Sequence, residues 1–206
     1  MSPEACSSPA NSPGAAALDA LAARLAAGAP FRVAPADTTE LEAVMSLRDR
    51  HVLEAGWGER DELGLHEVAL AAWDENQLVG TIRLVLPRPA LRLPIEDAFD
   101  LDIEPRGRVV EIGRLLIPPH RRGDPGHAIW GALFAQAWFQ VRARGLSVLA
   151  GAASAELIAR YRKLGLPFET LGPARRHWGE HRYPVRLDPA LISTPTWYGA
   201  GRRPSD

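Results

Sequence analysis

Two charged side chains, Glu111 and Arg114, interrupt the apolar run VVEIGRLLI at residues 109–117, whose β-branched composition otherwise predicts a buried strand. A buried charge is costly unless it is paired, so we expect Arg83, on a predicted neighbouring strand, to pair with Glu111. A glutamate in such a position can act as a general base, directly or through one water. Because side chains alternate along a regular strand, Glu111 and Arg114 share one site only if a bulge intervenes, and we predict one at residues 112–114 with Gly113 inside it.

The loop after this strand has the composition of an anion site. The sequence PPHRRGDPGHA leads from the strand into a long predicted helix. Backbone N–H groups of a glycine-containing turn, together with a helix N-terminus, suit a phosphate group. Pro125 removes one of these donors, and Asp124 adds a negative charge. A helix-opening loop without a ligand is the alternative interpretation.

Metal and thiol chemistry are not indicated. His177 and His181 stand four residues apart, but Gly179 weakens any helix there and no third ligand is evident, so we predict no metal site and a loop over the cleft. Cys6 is the single cysteine, which excludes a disulfide within one chain. Trp57, in a glycine-flanked loop, is expected against an acyl chain or substrate, and Trp73, Trp130, Trp138 and Trp178 are expected mostly in the core.

Hydrophobic periodicity predicts the elements that position these residues. In chain order we predict a strand at 31–35, a helix at 37–56, a hairpin of strands 67–73 and 78–86, a strand at 107–117, a helix at 126–145, a strand at 146–151, a helix at 154–165 and strands within 167–172 and 181–187. An antiparallel half followed by β-α-β-α-β predicts an α/β fold, with helices on both faces of one mixed sheet. The segments 51–66 and 87–106 are candidate binding loops.

Length and composition fit one domain with appendages: 206 residues, 46% apolar and 24% charged. Residues 1–29 are predicted to be a disordered leader followed by an Ala-rich helix, residues 30–187 the domain, and residues 188–206 an irregular tail. The helix is expected to dock on the body or on a partner, or to be a plain extension. Balanced charge, with 24 basic and 25 acidic residues, excludes the cationic footprint of a nucleic-acid binder. No apolar run reaches the ~20 residues of a membrane span, and no secretory signal is recognised, so we predict a cytoplasmic protein.

The element order over about residues 30–187 resembles the GNAT superfamily of acyl-CoA-dependent N-acyltransferases. The segment LLIPPHRRGDPGHAIWGAL resembles its cofactor motif, although members usually have Arg-x-x-Gly-x-Gly or -Ala, and ARYRKLGLPFE resembles its helix with a tyrosine before Leu-Gly-Phe. The resemblance implies a three-layer α/β/α sandwich whose mixed central sheet is splayed beside residues 112–117. It implies that Tyr161 protonates a leaving thiolate, the alternative being a ring in the core. The cofactor-binding residues it implies are Leu116, Ile117, Arg121, Arg122, Gly123, Gly126 and His127.

The front half resembles one branch of that superfamily, the acyl-homoserine-lactone synthases and the related long-chain N-acyl amino acid synthases. The branch combines an Arg-bearing helix before Gly-Trp, an acidic pair, a hairpin strand with Arg, and a strand with Glu-x-x-Arg. The matching residues are Arg48, Trp57, Asp61, Glu62, Arg83, Glu111 and Arg114.

From this branch, Glu111 is expected to be the catalytic base. The substrate-binding residues are expected to be Arg48, Trp57, Asp61, Arg83 and Arg114, with Asp61 or Glu62 pairing with Arg114 or Arg48. Two positions depart from the lactone synthases: Gly64 replaces a second aspartate, and Val52 replaces an aromatic residue. An acid at that place could help to hold a cationic substrate such as S-adenosylmethionine, so we favour another amine acceptor.

The resemblance implies an N-acyltransferase that moves an acyl group from acyl-CoA or an acyl-carrier-protein thioester to a small-molecule amine such as an amino acid. The co-substrate would be acyl-CoA or acyl-phosphopantetheine, without a metal. The alternatives are an acyl-homoserine-lactone synthase and a non-catalytic GNAT-like domain that binds acyl thioesters.

Overall fold

The computed structural model describes residues 12–56, 64 and 66–192, which form helices and strands. The helices are α1 (Pro13–Ala27), α2 (Thr38–Glu54), α3 (Pro94–Phe99), α4 (Asp124–Arg142) and α5 (Ala155–Lys163). The strands are β1 (Arg32–Pro35), β2 (Glu67–Asp74), β3 (Gln77–Val85), β4 (Val109–Leu116), β5 (Val148–Ala153), β6 (Glu169–Thr170), β7 (Arg175–His177) and β8 (Glu180–Leu187).

The strands form one mixed sheet in the order β1-β2-β3-β4-β5-β8-β6. Strands β1 to β4 are antiparallel neighbours, β4 and β5 are parallel, and β5 and β6 both pair antiparallel with β8. Helix α4 connects the parallel pair, as a parallel connection requires a crossover. Strand β7 pairs with the first residues of β8 and stands apart from the main sheet. The predicted α/β fold with a mixed sheet is confirmed.

Helices cover both faces of the sheet. On one face, the core includes Leu70 of β2, Val110 of β4, Trp138 of α4 and Ile158 of α5. On the other face, Val44 of α2 packs against β2, and the segment around α3 packs against β3, β4 and β5. This arrangement is the three-layer sandwich expected from the sequence.

Helix α1 docks on the body of the domain. Its Leu18, Leu21 and Ala22 are buried in the same core cluster as α4. The Asp19 carboxylate accepts hydrogen bonds from Trp138 Nε1 at 2.7 Å and from Arg142 Nε at 3.0 Å. Of the roles considered for this Ala-rich helix, the structure therefore selects packing on the domain itself.

The segment 87–106 is more ordered than the predicted binding loop, because it contains α3. The buried Glu96 carboxylate accepts hydrogen bonds from Leu93 N at 2.7 Å and from Ile103 N at 2.8 Å. Arg92 pairs with Asp97 and with Asp102, both at 2.7 Å. These contacts fix the segment internally, and its apolar side chains pack in one cluster with Val109 of β4 and Val148 of β5.

Candidate active site

The central sheet opens between β4 and β5. These strands pair only from Val109↔Val148 to Glu111↔Ala150. Gly151 marks their last close approach, because a Cβ atom at this residue would lie 2.5 Å from the Ile112 carbonyl oxygen. The groove predicted beside residues 112–117 is confirmed. We call this opening and its cavity the slot.

The slot contains a cavity of about 160 Å³. Helix α2, strands β3 to β5, helix α5 and the β7–β8 hairpin all contribute to its wall. The lining residues are Arg48, His51, Val52, Ile82, Ile112, Gly113, Arg114, Leu115, Leu116, Ala152, Ser154, Leu157, Tyr161, Trp178, Glu180 and Arg182.

Strand β4 carries the predicted bulge, but with a different residue in the left-handed conformation. Thr81 pairs with Leu116 and Arg83 pairs with Gly113, so β4 has one residue more than β3 over this stretch. Arg114, not Gly113, has a positive φ of 51°. The prediction that Gly113 would carry the distortion is wrong, because the bulge falls one residue later. Burial raises the pKa of the Glu111 carboxyl, and the charge of Arg114 on the bulge is one of the groups that act in the opposite direction.

Glu111 lies in a buried charge cluster with Arg83 and Glu67. Arg83 Nη2 is 3.7 Å from Glu111 Oε1, and Arg83 Nη1 is 3.2 Å from Glu67 Oε1, which confirms the predicted pairing of Arg83 with Glu111. The backbone N–H of Ile95 in α3 donates to Glu111 Oε2 at 2.8 Å. Burial nevertheless raises the pKa of Glu111, with the Ile95 N–H and Arg83 acting in the opposite direction. The carboxylate does not itself line the slot, but Gly113, two residues further along β4, does.

Among the residues that the structure describes, three guanidinium groups line the slot. Arg48 of α2 is 1% exposed, and its Nη2 donates to Thr81 Oγ1 at 3.5 Å. The Arg114 guanidinium carbon lies 3.1 Å from the centre of the Trp178 ring, and Arg182 Nη2 is 3.1 Å from Glu180 Oε2. Arg48 and Arg114 thus line the same cavity, and their predicted role in substrate binding stays a prediction. Trp57, Asp61 and Glu62 lie outside the described residues, so their roles stay predictions.

Trp178 is a slot residue that the sequence interpretation placed in the core. It forms the β7–β8 turn with Gly179, and both residues have positive φ, 50° and 72°. Since His177 pairs with Glu180, this is a two-residue hairpin of the type I′ kind. The signal in the sequence was Gly179 at the second turn position between the short segments RRH and EHR, which predicts a hairpin instead of the loop that we proposed.

His177, next to this turn, is neutral at neutral pH. Burial lowers its pKa to about 4, and the nearby charges of Arg114, Arg182 and Arg83 act in the same direction. Its ring centre lies 5.4 Å from that of Phe99 in an edge-to-face arrangement. The histidine therefore joins the α3 layer to the hairpin that borders the slot.

Tyr161 combines features of both interpretations of this residue. Its ring packs between Trp130 and Phe168, with centroid distances of 5.9 and 4.8 Å, and it also lines the slot. Burial raises its pKa to about 12, although a hydrogen bond with the Trp130 side chain acts in the opposite direction. The hydroxyl is consequently protonated at neutral pH and can donate a hydrogen bond.

The loop between β4 and α4 holds the predicted cofactor residues in different environments. Gly123 has a φ of 85°, and Gly126 is required by close packing, because a Cβ atom there would lie 2.9 Å from the Arg121 carbonyl oxygen. Arg121 is directed to the β2–β3 turn, where it binds Asp74 at 2.9 Å. Arg122 Nε donates to the Ile117 carbonyl at 3.2 Å. Burial lowers the pKa of His51 in the slot, and the charge of Arg122 acts in the same direction. His127 is exposed at the start of α4.

A mixed sheet that opens beside its central strand, with charged groups gathered at the opening, defines the GNAT class of N-acyltransferases. The profile of the FeeM family, N-acyl amino acid synthases, matches residues 43–187, and the chain belongs to this family. It is therefore an acyltransferase that uses an acyl thioester and a small-molecule amine.

Solved structures support the same fold. FeeM, an N-acyl amino acid synthase from uncultured soil microbes, superposes with a TM-score of 0.62 at 16% identity over 78% of this chain and 93% of FeeM. The acyl-homoserine-lactone synthase LasI gives 0.62 at 17% identity over 79% and 91% of the two chains. An acyl-CoA N-acyltransferase from Pseudomonas aeruginosa gives 0.55 at 20% identity over 76% and 97%. No curated protein sequence matches significantly. Among the described helices, none has the length and apolarity to cross a membrane.

Proposed function

We propose that this enzyme transfers an acyl group from a phosphopantetheine thioester, carried by CoA or by an acyl-carrier protein, to the amino group of an amino acid. The observation that carries the proposal is the buried Glu111, tied to Arg83 and to the backbone of α3, immediately beside a slot lined by three guanidinium groups. Such a site offers a base for an amine and cations for a carboxylate.

The donor is proposed to lie in the slot with its pantetheine arm along β4. Beyond Glu111, the edge of β4 that faces β5 makes no ladder pairs within the described strands. Its backbone groups at Leu116 and Ile117 can therefore hydrogen bond the amides of a pantetheine. Arg122, Gly123, Gly126 and His127 would bind the phosphate, with Arg121 fixing the loop to the β2–β3 turn.

The acceptor is proposed to bind with its carboxylate toward Arg48 and Arg114 and its amine toward Glu111. Glu111 takes a proton from the amine, directly or through one water, and the raised pKa of this carboxyl makes it a stronger base than an ordinary glutamate. Arg83 would keep Glu111 in place. Trp57 and Asp61, from the preceding loop, would complete the acceptor site.

The reaction then follows acyl-transfer chemistry. The neutral amine nitrogen attacks the thioester carbon, and a backbone N–H of β4 stabilises the oxyanion. The added nitrogen then gives up its second proton to water, and collapse of the intermediate breaks the carbon–sulfur bond. Tyr161 would donate its proton to the leaving thiolate, since its hydroxyl is protonated at neutral pH. The products are an N-acyl amino acid and the free thiol.

A matched pair of variants tests the role of Glu111. Acyl-CoA and acyl-carrier thioesters are incubated with pooled amino acids, and free thiol and N-acyl masses are measured. Glu111→Gln keeps an acceptor for the Ile95 N–H but removes the base, so turnover is expected to fall about a hundredfold to ten-thousandfold. Glu67→Gln removes the other carboxylate paired with Arg83 and is expected to retain most of the activity.

Other outcomes identify the alternatives. Unchanged turnover of Glu111→Gln would remove Glu111 from the role of base. A product containing a homoserine lactone would identify a lactone synthase. Thermal stabilisation by acyl thioesters without any turnover would identify a binding domain.

A further inference from the structure

Arg182 lines the slot but has no part in the mechanism described above. Of the three guanidinium groups in the wall, Arg48 and Arg114 are assigned to the acceptor carboxylate, which leaves the third without a role. The side chain of Arg182 is only 22% exposed. Because it costs free energy to withdraw a charged group from water, a function or a stabilising contact should account for its position.

The stability of the β7–β8 hairpin does not account for this arginine. Arg182 of β8 pairs directly with Arg175 of β7, and like charges opposite each other on neighbouring strands destabilise a hairpin. The Glu180 carboxylate, 3.1 Å from Arg182 Nη2, is 52% exposed, and an ion pair with such an exposed partner adds little to stability. The pair with Glu180 does, however, fix the direction of the guanidinium.

The register of the sheet directs Arg182 into the slot. Ala152 of β5 pairs with Pro184 of β8, and side chains directly opposite in antiparallel strands lie on the same face. Because side chains alternate, Arg182 shares this face with Pro184 and with Ala152, which also lines the slot. Tyr161 reaches the slot from α5. The two polar side chains therefore approach the same space from different elements.

The leaving step needs a positive charge near Tyr161. Burial raises the pKa of its hydroxyl to about 12, whereas an alkyl thiol has a pKa of about 8.5. A complete proton transfer from this phenol to the thiolate is therefore unfavourable by a factor on the order of a thousand. A hydrogen bond with Trp130 and the charges of Arg160 and Arg182 act against the effect of burial on this pKa. Of these three residues, only Arg182 lines the slot.

We propose that Arg182 is a catalytic residue of this transferase, whose guanidinium faces the sulfur of the bound thioester and stabilises the negative charge that forms there as the carbon–sulfur bond breaks. This inference rests on the proposed function, because it assumes that the slot receives the thioester. The electron pair of the bond passes to sulfur, Tyr161 donates its proton to that sulfur, and Arg182 keeps its own protons. Water then returns one proton to Tyr161, which balances the proton that the amine nitrogen released to water.

Thioesters with different leaving groups test this role. The specificity constant kcat/KM for one amino acid is measured with an acyl thioester of N-acetylcysteamine, an alkyl thiol like that of pantetheine. The same acyl group is then offered on para-nitrothiophenol, a far more acidic thiol. Arg182→Gln is expected to lose about a hundredfold with the alkyl thioester, because a stabiliser of the developing charge is removed. It is expected to lose less than about fivefold with the aryl thioester, whose thiolate needs little stabilisation.

Two further variants control for charge and for folding. Arg182→Lys keeps the positive charge and is expected to retain more activity with the alkyl thioester than Arg182→Gln does. Arg175→Gln removes the opposite arginine of the same hairpin, which does not line the slot, and is expected to leave both constants unchanged. Equal losses of Arg182→Gln with both thioesters would overturn the inference, since they would indicate a role in the hairpin or in acceptor binding.

A measurement without turnover separates this inference from the proposed function. The pKa of the thiol of phosphopantetheine, the part common to CoA and a carrier protein, is determined in the bound state from the ultraviolet absorbance of the thiolate. A neighbouring positive charge favours the thiolate, so the bound thiol is expected to ionise at lower pH in the wild type than in Arg182→Gln. The other charged and titratable side chains of the slot are the same in both proteins; they are Arg48, His51, Arg114, Tyr161 and Glu180.

The outcomes are distinguishable. Equal pKa values of the bound thiol in the wild type and in Arg182→Gln would overturn the role of Arg182, whatever the turnover. Absence of an N-acyl product from the wild type with every thioester would instead reject the proposed function.

Discussion

Burial and local contacts have opposite effects on the pKa of the Glu111 carboxyl. The site is 7% exposed, and this desolvation raises the pKa of the carboxyl, while the Ile95 N–H, Arg83 and Arg114 favour its charged form. Removing either partner from a buried ion pair leaves an uncompensated charge. The second carboxylate on Arg83, Glu67, moderates this effect, so the cluster can lose one acid and still hold the guanidinium.

Tyr161→Phe tests the proton donor without altering the aromatic packing. The ring keeps its contacts with Trp130 and Phe168, so the free energy of unfolding is expected to change by only about 1 kcal/mol, the value of one hydrogen bond. If the hydroxyl protonates the leaving thiolate, kcat falls roughly tenfold or more while KM changes little. Steady-state kinetics with one acyl thioester measures both. A variant with wild-type kcat would leave Tyr161 as a wall residue only.

His177 predicts a specific response to acid. Its pKa is about 4 in the folded protein and 6.5 in the unfolded chain, because burial beside Arg114 and Arg182 disfavours the charged ring. Between pH 6.5 and 4, only the unfolded chain takes up a proton at this histidine. The free energy of unfolding is therefore unaffected by His177 above pH 6.5 and decreases as the pH falls toward 4.

The measurement is urea unfolding across that window. His177→Phe, which keeps an aromatic ring against Phe99, is expected to lose less stability on acidification than the wild type. His181→Phe, at an exposed residue of the same hairpin, serves as the control. Equal acid sensitivity of His177→Phe and the wild type would contradict the prediction.

Among the elements, β4 and the β7–β8 hairpin form the slot by departing from regular geometry. The bulge turns Arg114 toward the slot, and the tight turn brings Trp178 to meet it. A type I′ turn prefers Asn-Gly, so a tryptophan at its first central position is not explained by turn stability. Its contact with Arg114 provides the explanation.

The variant Trp178→Asn distinguishes the role of this residue in the tight turn from the role of its ring in the contact with Arg114. Asparagine suits the left-handed conformation better than tryptophan does, and this gain offsets the lost contact with Arg114, so the change in unfolding free energy is expected to stay within about 1 kcal/mol. Activity is expected to fall about tenfold, because the slot loses one wall. Trp178→Phe keeps an aromatic face and should retain more activity. Assays of turnover and Tm on both variants decide the matter, and full activity of Trp178→Asn would show that the ring is dispensable.

For the whole molecule, α1 belongs to the fold that supports the slot. It packs on α4, whose other residues contact the sheet and Tyr161. Leu18→Ala, at a fully buried residue, is expected to lower the free energy of unfolding by about 2–5 kcal/mol. Leu53→Ala, at a residue that is 82% exposed, is expected to change it by less than about 0.5 kcal/mol. Chemical denaturation measures both, and similar small effects would mean that α1 contributes little to stability.

Most of the fold was predictable from local patterns. Alternation and helical periodicity located β2, β3, β4, α2, α4 and α5, because these elements bury one face or a continuous apolar stripe. The short elements were missed: α3 lies in a segment rich in Pro and Asp, and β7 has only three residues. Helix α3 also depends on a contact with the sheet, the hydrogen bond from the Ile95 N–H to Glu111, whereas the β7–β8 hairpin had a local signal in Gly179 that the sequence interpretation did not use.

The sequence by itself determined the fold class and the charged residues of β4 with Arg83 as the partner of Glu111, because residue type and period encode these locally. The opening in the sheet was implied by the family resemblance and not by these local patterns. Only the tertiary structure decided that Arg114 carries the bulge, that Trp178 lines the slot, that Arg121 binds the β2–β3 turn, and how large the cavity is. These features arise where segments far apart in the chain meet, and the free energy of a backbone conformation or a rotamer there depends on the partner that it contacts.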